Sequence, residues 1–130
     1  MKYVYTAVFT AVDDGYSVCI PDLPGCITGG IDAADAITMV EDAGAMWLWD
    51  AENNAEAIPA PTPFEQVDVA QGQIKTMVLL DTDAYRRAND NRAVKKTLSI
   101  PSWLNAEAER AGVNFSQILQ DGLKARLGIQ

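Results

Sequence analysis

Apolar positions recur along this chain with two different periods, and the changes of period mark out its elements. Tyr3 to Thr10 is rich in β-branched and aromatic residues, Asp13-Asp14-Gly15 supplies turn chemistry, and Tyr16 to Ile20 resumes strand composition. This pattern predicts a β-hairpin. Pro21-Asp22-Leu23-Pro24-Gly25 interrupts it with two φ-locked prolines and a glycine, and Cys26 to Ile31 is short enough for a third strand. Asp32 then reads as a helix N-cap with Asp35 in the first turn, where the macrodipole favours acids. From Ile37 the spacing Ile37, Val40, Gly44, Trp47, Leu48, Ala51 is helical, so one long face can cover the sheet. The opposite side still carries Met39, Ala43, Met46 and Trp49, more apolar surface than a solvated helix face usually shows. Two readings of that side stand level: burial, including burial by a second copy, or a face for a partner protein.

Pro59, Pro61 and Pro63 form a semi-rigid connection, after which Phe64 to Ala70 and Gln73 to Leu80 read as strands around Gln71-Gly72. The first segment, 1–83, is therefore expected to be a β-β-β-α-β layer of helix on sheet. Residues 84–93 are polar and charged and read as a helical or loose linker. Beyond them Val94 to Ile100 alternates as a strand, with Val94, Leu98 and Ile100 on one face and Lys95, Thr97 and Ser99 on the other. Lys96 is the exception on the apolar side. Pro101 or Ser102 starts a short helix that ends at Gly112, a natural C′ residue, with Leu104, Ala108 and Ala111 on its inner stripe. Asn114 caps a second helix, and Gln117 completes a pair resembling a capping box. Phe115, Ile118, Leu119, Gly122, Leu123 and Leu127 repeat at helical spacing along it.

A strand and two helices in residues 94–130 cannot bury enough surface alone, because chains below about 40 residues usually need staples or a second copy. Two copies that align their strands as an antiparallel ribbon would bury Leu98, Ile100, Leu104, Phe115, Ile118, Leu119 and Leu123 in a shared dimer core. Their polar faces would form a two-stranded ribbon of the width that a DNA major groove admits.

Charge sharpens this division. Residues 1–83 carry 14 acidic and 2 basic side chains, whereas 84–130 carry 4 acidic and 8 basic ones. Such a reversal points to a nucleic-acid-binding end joined to a part that faces a different partner. The chain has no histidine, which removes Ser-His-Asp and Cys-His nucleophile activation. Two cysteines supply too few strong ligands for zinc, so neither metal nor cofactor is expected, and Cys19 and Cys26 read as small core residues rather than a disulfide. Asp13, Asp14, Asp22, Asp32, Asp35, Glu41 and Asp42 leave a magnesium-dependent nuclease to be weighed, but turns, a proline-flanked loop and a helix start account for most of them. No uncharged run exceeds ten residues and the first segment lacks a secretory h-region, so the protein is expected in the cytoplasm and off the membrane.

The segment Val94-Lys-Lys-Thr-Leu-Ser-Ile-Pro-Ser-Trp-Leu-Asn105, with Gly112-Val-Asn-Phe-Ser-Gln-Ile-Leu119, resembles the ribbon-helix-helix unit attached to HicB-type antitoxins. Gly15-Tyr-Ser-Val-Cys-Ile-Pro-Asp-Leu-Pro-Gly-Cys26, with Lys2-Tyr3 before it and a helix after Asp32, is similar to the HicB N-terminal domain. The resemblance implies an α+β protein: a partial RNase H-like domain that binds and blocks HicA, a small basic RNA-cleaving toxin, and a β-α-α tail that dimerises and represses its own operon. RNase H-type catalysis places a carboxylate in the first strand, and Tyr3 to Val12 contains none, so a non-enzymatic scaffold is expected. On this reading Lys95, Thr97 and Ser99 meet base edges, Lys96 reaches a phosphate, and Asn114 and Ser116 meet phosphate at the second helix N-terminus. Asp22, Met39, Met46 and Trp49 are the expected toxin contacts. The alternatives are a free-standing ribbon-helix-helix transcription factor with a ligand-sensing or assembly domain, and a metal-dependent nuclease.

Overall fold

The computed structural model describes residues 1–129, and its contacts divide the chain into two compact units, Met1–Arg92 and the remainder from Ala93. In the first unit, strands β1 (Lys2–Val12), β2 (Gly15–Cys19) and β3 (Ile27–Gly30) precede helix α1 (Ala33–Asn53), and strand β4 (Gln73–Asp81) leads into helix α2 (Thr82–Asn89). The strands form one antiparallel sheet in the order β3-β2-β1-β4. Helix α1 returns the chain across the sheet, so β4 pairs with β1 along its length, from Lys2 opposite Asp81 to Thr10 opposite Gln73.

Period two sorts β1. Tyr5, Ala7 and Phe9 point into the core with Val18, Ile20, Val78 and Leu80, against Ala36, Val40 and Leu48 of α1. Fully buried, each of the larger apolar side chains contributes roughly 1.5–3 kcal/mol relative to exposure. Gly44 permits the close approach of helix and sheet, since a Cβ there would stand 2.7 Å from Leu80 Cδ1 and 2.9 Å from Ile20 Cδ1. At the hairpin Gly15 adopts φ +139°, and a Cβ would meet the Gly30 carbonyl. Asp32 caps α1 as its sequence position predicts: its Oδ1 accepts from Asp35 N–H at 2.8 Å, and Asp35 Oδ2 accepts in return from Ile31 N–H at 3.0 Å.

Three expectations are corrected. Phe64 to Ala70 is not a strand; Phe64–Gln66 forms a 3-10 turn, and the loop behind it lies on the second face of the sheet. Lys75 holds that loop, donating to the Phe64 carbonyl at 2.6 Å and the Val67 carbonyl at 3.1 Å, so these carbonyls are satisfied without a ladder. Residues 84–89 are not a linker but most of α2, which packs on α1 as part of the first unit. Its start is fixed by Asp81, whose Oδ1 accepts from the backbone N–H groups of Asp83 and Ala84. The cut at Arg92 gives the first unit a net charge of −10 and leaves the second +2, a smaller contrast than the cut at residue 83 implies.

In the second unit, residues 94–100 have no strand partner among the described residues, and a strand needs a neighbour to satisfy its ladder groups. Helices α3 (Ser102–Ala111) and α4 (Phe115–Leu127) follow. Gly112 turns the corner in the left-handed region at φ +69°, with Val113 N–H donating back to the Ala108 carbonyl. Asn114 caps α4 through Gln117 N–H at 3.0 Å, but Gln117 donates forward to Asp121, so only one arm of the capping box forms. Among the described residues no helix is long and apolar enough to cross a membrane.

Candidate functional site

In the first unit the four expected toxin contacts separate. Met39 and Met46 lie on the solvent side of α1, both more than 40% exposed, on the same stripe as Asp35, Asp42 and Asp50. Trp49 lies on a different side: Tyr85 of α2 covers it at a ring separation of 5.4 Å, and its Nε1 is buried without a partner. Asp22 is also committed internally. Its two oxygens accept from the backbone N–H and the hydroxyl of Thr62, at 2.8 and 2.7 Å, and tie the Pro21–Gly25 loop to the proline-rich segment. The Tyr5 hydroxyl donates to the Pro59 carbonyl close by. Burial pushes the Tyr5 phenol up from its ordinary value, and the Asp22 charge adds to the effect. Of the four, only Met39 and Met46 are exposed; Asp22 and Trp49 hold the fold together.

A second surface escaped the sequence reading. Thr38, Glu41, Asp42 and Ala45 of α1, Leu79 and Asp81 of β4, and Ala84, Tyr85 and Ala88 of α2 line a groove of about 350 Å³. It exists because α2 turns back beside α1. The available signal was Asp81-Thr-Asp83, a cap sequence ahead of Ala84, Tyr85 and Ala88 at helical spacing. Cys19 and Cys26 are free thiols, and burial pushes both upward, away from the thiolate. Among the described residues no three Asp, Glu or Cys side chains converge to hold a metal ion.

The second unit has no buried residue among positions 93–129. Leu98 is 62% exposed, Phe115 45% and Ile118 54%, and these residues, with Lys96, Ile100, Ser116 and Leu119, line an open groove of about 590 Å³. Leu104 and Leu123 are exposed as well. The structure thus gathers most of the predicted core residues beside the extended segment. Lys96 lies on this apolar side, as the alternation predicts, and Ser116 lies there with it. Thr97 and Ser99 line neither groove, in keeping with the alternation of an extended chain, while Lys95 borders a smaller groove with Val94 and Leu123. The Asn114 side chain is spent on its cap.

Residues 5–121 match the family model described as the HicB-like antitoxin of bacterial toxin-antitoxin systems. An uncharacterised 14.9 kDa protein from the rep-hol intergenic region of Haemophilus phage HP1 is 26% identical over 101 residues, 78% of this chain and 75% of that protein. In a toxin-antitoxin complex from Streptococcus pneumoniae, one chain superposes with a TM-score of 0.64 at 23% identity, covering 97% of this chain and 99% of that one. A chain of the HicA3 and HicB3 toxin-antitoxin complex superposes with a TM-score of 0.52 at 25% identity, over 61% of this chain and 99% of its own length. With a mixed α+β fold that matches along nearly its whole length and a family match over residues 5–121, this chain belongs to the HicB-like antitoxins of bacterial toxin-antitoxin systems.

Proposed function

We propose that this antitoxin neutralises a HicA-type RNA-cleaving toxin through its first unit, is not itself an enzyme, and represses its own operon through a dimer of its second unit. The observation that carries the dimer is the second unit itself: 38 residues, none of the described ones buried, with an apolar groove beside an extended segment that lacks a strand partner. A second copy meets both needs at once, pairing the strand and closing the groove over Leu98, Ile100, Phe115 and Ile118. The ribbon-helix-helix arrangement then leaves Lys95, Thr97 and Ser99 on the outer face of a two-stranded ribbon, where a major groove accepts it. A HicA-type toxin as partner is supported by the family and by the likeness to the HicA3 and HicB3 complex.

The experiment is co-expression with the toxin encoded beside it, together with gel-shift on the upstream DNA. Rescue of growth and a specific shift of the promoter fragment are expected. Rescue without any DNA binding would remove the repressor half, and intrinsic RNA cleavage by the purified protein with magnesium would remove the scaffold reading in favour of a nuclease.

A further inference from the structure

The sheet has two edges, and they are treated differently. Strand β3 spans four residues, two of them glycine, and α1 closes over its end: a Cβ on Gly30 would stand 2.3 Å from the Ala36 nitrogen. Strand β4 is nine residues long and, among the described residues, pairs only with β1. Exposed edges are usually blunted by prolines, bulges or inward-pointing charges. The one cation of β4, Lys75, is occupied by the Phe64 and Val67 carbonyls. Beyond Lys75 the edge reads Thr76-Met77-Val78-Leu79-Leu80.

Both sides of this edge have distinct chemistry. Val78 and Leu80 point to the core, so Met77 and Leu79 point to the other face, where register sets Leu79 beside Val4. The loop around Val67 covers the neighbouring part of that face, and Thr6 and Val8 are buried there, but Val4, Met77 and Leu79 stay 48%, 61% and 51% exposed. On the α1 side the edge opens onto the groove that α1 lines with Glu41 and Asp42 and whose lining holds no basic residue.

We infer that the β4 edge is where the toxin docks, by adding an extended segment whose alternate side chains are apolar toward Val4, Met77 and Leu79 and basic toward Glu41 and Asp42. Main-chain pairing supplies affinity in this mode, and the two faces supply specificity. This assignment rests on the toxin reading above and names the surface that serves it. Charge decides against a second copy at the same edge. Antiparallel pairing of two β4 strands would bring two acidic grooves together on units of net charge −10 each, whereas a basic segment is drawn to that groove.

The test uses the full chain and a catalytically inactive form of the neighbouring toxin. Met77→Lys with Leu79→Lys places charges where the incoming strand would pack, and is expected to weaken toxin binding by roughly 100-fold or more, with melting temperature and operator binding unchanged. Glu41→Lys with Asp42→Lys, at a half-buried and an exposed position of α1, is expected to weaken binding roughly tenfold and to flatten its salt dependence. Met39→Glu with Met46→Glu is expected to bind as the wild type does. In the wild-type complex the backbone amides of 73–81 are expected to exchange more slowly than in the free protein, a reading that needs no variant. If the wild type binds toxin and the β4 variants bind it equally well with no added amide protection, the edge assignment falls and the toxin reading stands. Loss of binding in the Met39/Met46 variant instead moves the site to the outer stripe of α1. A change confined to the sedimentation of the free protein gives the edge to a second copy. Failure of the wild type to bind the toxin overturns the toxin reading and the edge assignment with it.

Discussion

Single side chains in this antitoxin do work that their chemistry alone does not reveal, and Asp22 is the clearest case. A carboxylate in a proline-flanked loop reads equally as a partner contact or a structural tie; two hydrogen bonds to Thr62 make it a tie. Asp22→Ala is expected to cost about 1–3 kcal/mol in urea unfolding, because the Thr62 donors lose a charged acceptor. Toxin affinity measured well below the midpoint is expected to hold. Tyr5 gives a pH signature. Burial first, and the nearby Asp22 charge second, raise its phenol above the ordinary value of 10.0. The unfolded chain therefore ionises before the folded one, so the contribution of Tyr5 to stability is whole below pH ~10 and is lost as pH rises through the folded value. Urea midpoints from pH 8 upward are expected to fall above pH ~10, and Tyr5→Phe is expected to make that fall shallower at a cost of about 1 kcal/mol near neutrality.

Among the elements, the extended segment from Val94 to Ile100 depends most on context. Its alternation was legible because period two needs only the sequence, but in the single chain the segment has no ladder partner among the described residues. Adjacent residues are expected to fail differently. Leu98→Ala is expected to cost about 2–5 kcal/mol of dimer stability through lost burial and a cavity, with DNA binding lost only as the dimer dissociates. Thr97→Ala is expected to leave melting unchanged and to weaken operator binding by about 1–3 kcal/mol. Lys95→Ala is expected to weaken binding to every sequence and to reduce the slope of affinity against salt. Melting curves and operator affinities at two salt concentrations separate the three; a stable dimeric Leu98→Ala beside an unfolded Thr97→Ala would reverse the faces. Helix α2 shows the opposite failure. Its polar composition reads as linker, yet its cap at Asp81 and the tilted packing of Tyr85 against Trp49 bind it to the first unit.

At the scale of the whole chain, the two units have unequal claims to independence. The first has a buried core of strand and helix residues; the second has none among its described residues. A chain ending at Arg92 is expected to fold, to keep toxin binding and to lose operator binding, as followed by circular dichroism, pull-down and gel-shift. Residues 93–130 alone are expected to melt at a temperature that rises with concentration, since the proposed dimer places their core between copies. A concentration-independent, cooperative transition for that fragment would show that it builds a core by itself.

Local rules settled much of this in advance. The hairpin turn at Asp13-Asp14-Gly15, the cap at Asp32, the stop at Gly112, the cap at Asn114 and the core face of α1 around Val40 and Leu48 all depend on neighbours within a few residues, so the sequence alone determined them. What lay beyond it were contacts between segments distant in the chain. The pairing of β4 with β1, the loop that Lys75 holds in place of a fifth strand, the return of α2 onto Trp49 and the bond from Asp22 to Thr62 each join residues that no local period relates. Those contacts decided which acids are structural and which apolar side chains stay exposed, because burial is a property of the packed layers and not of any stretch of sequence.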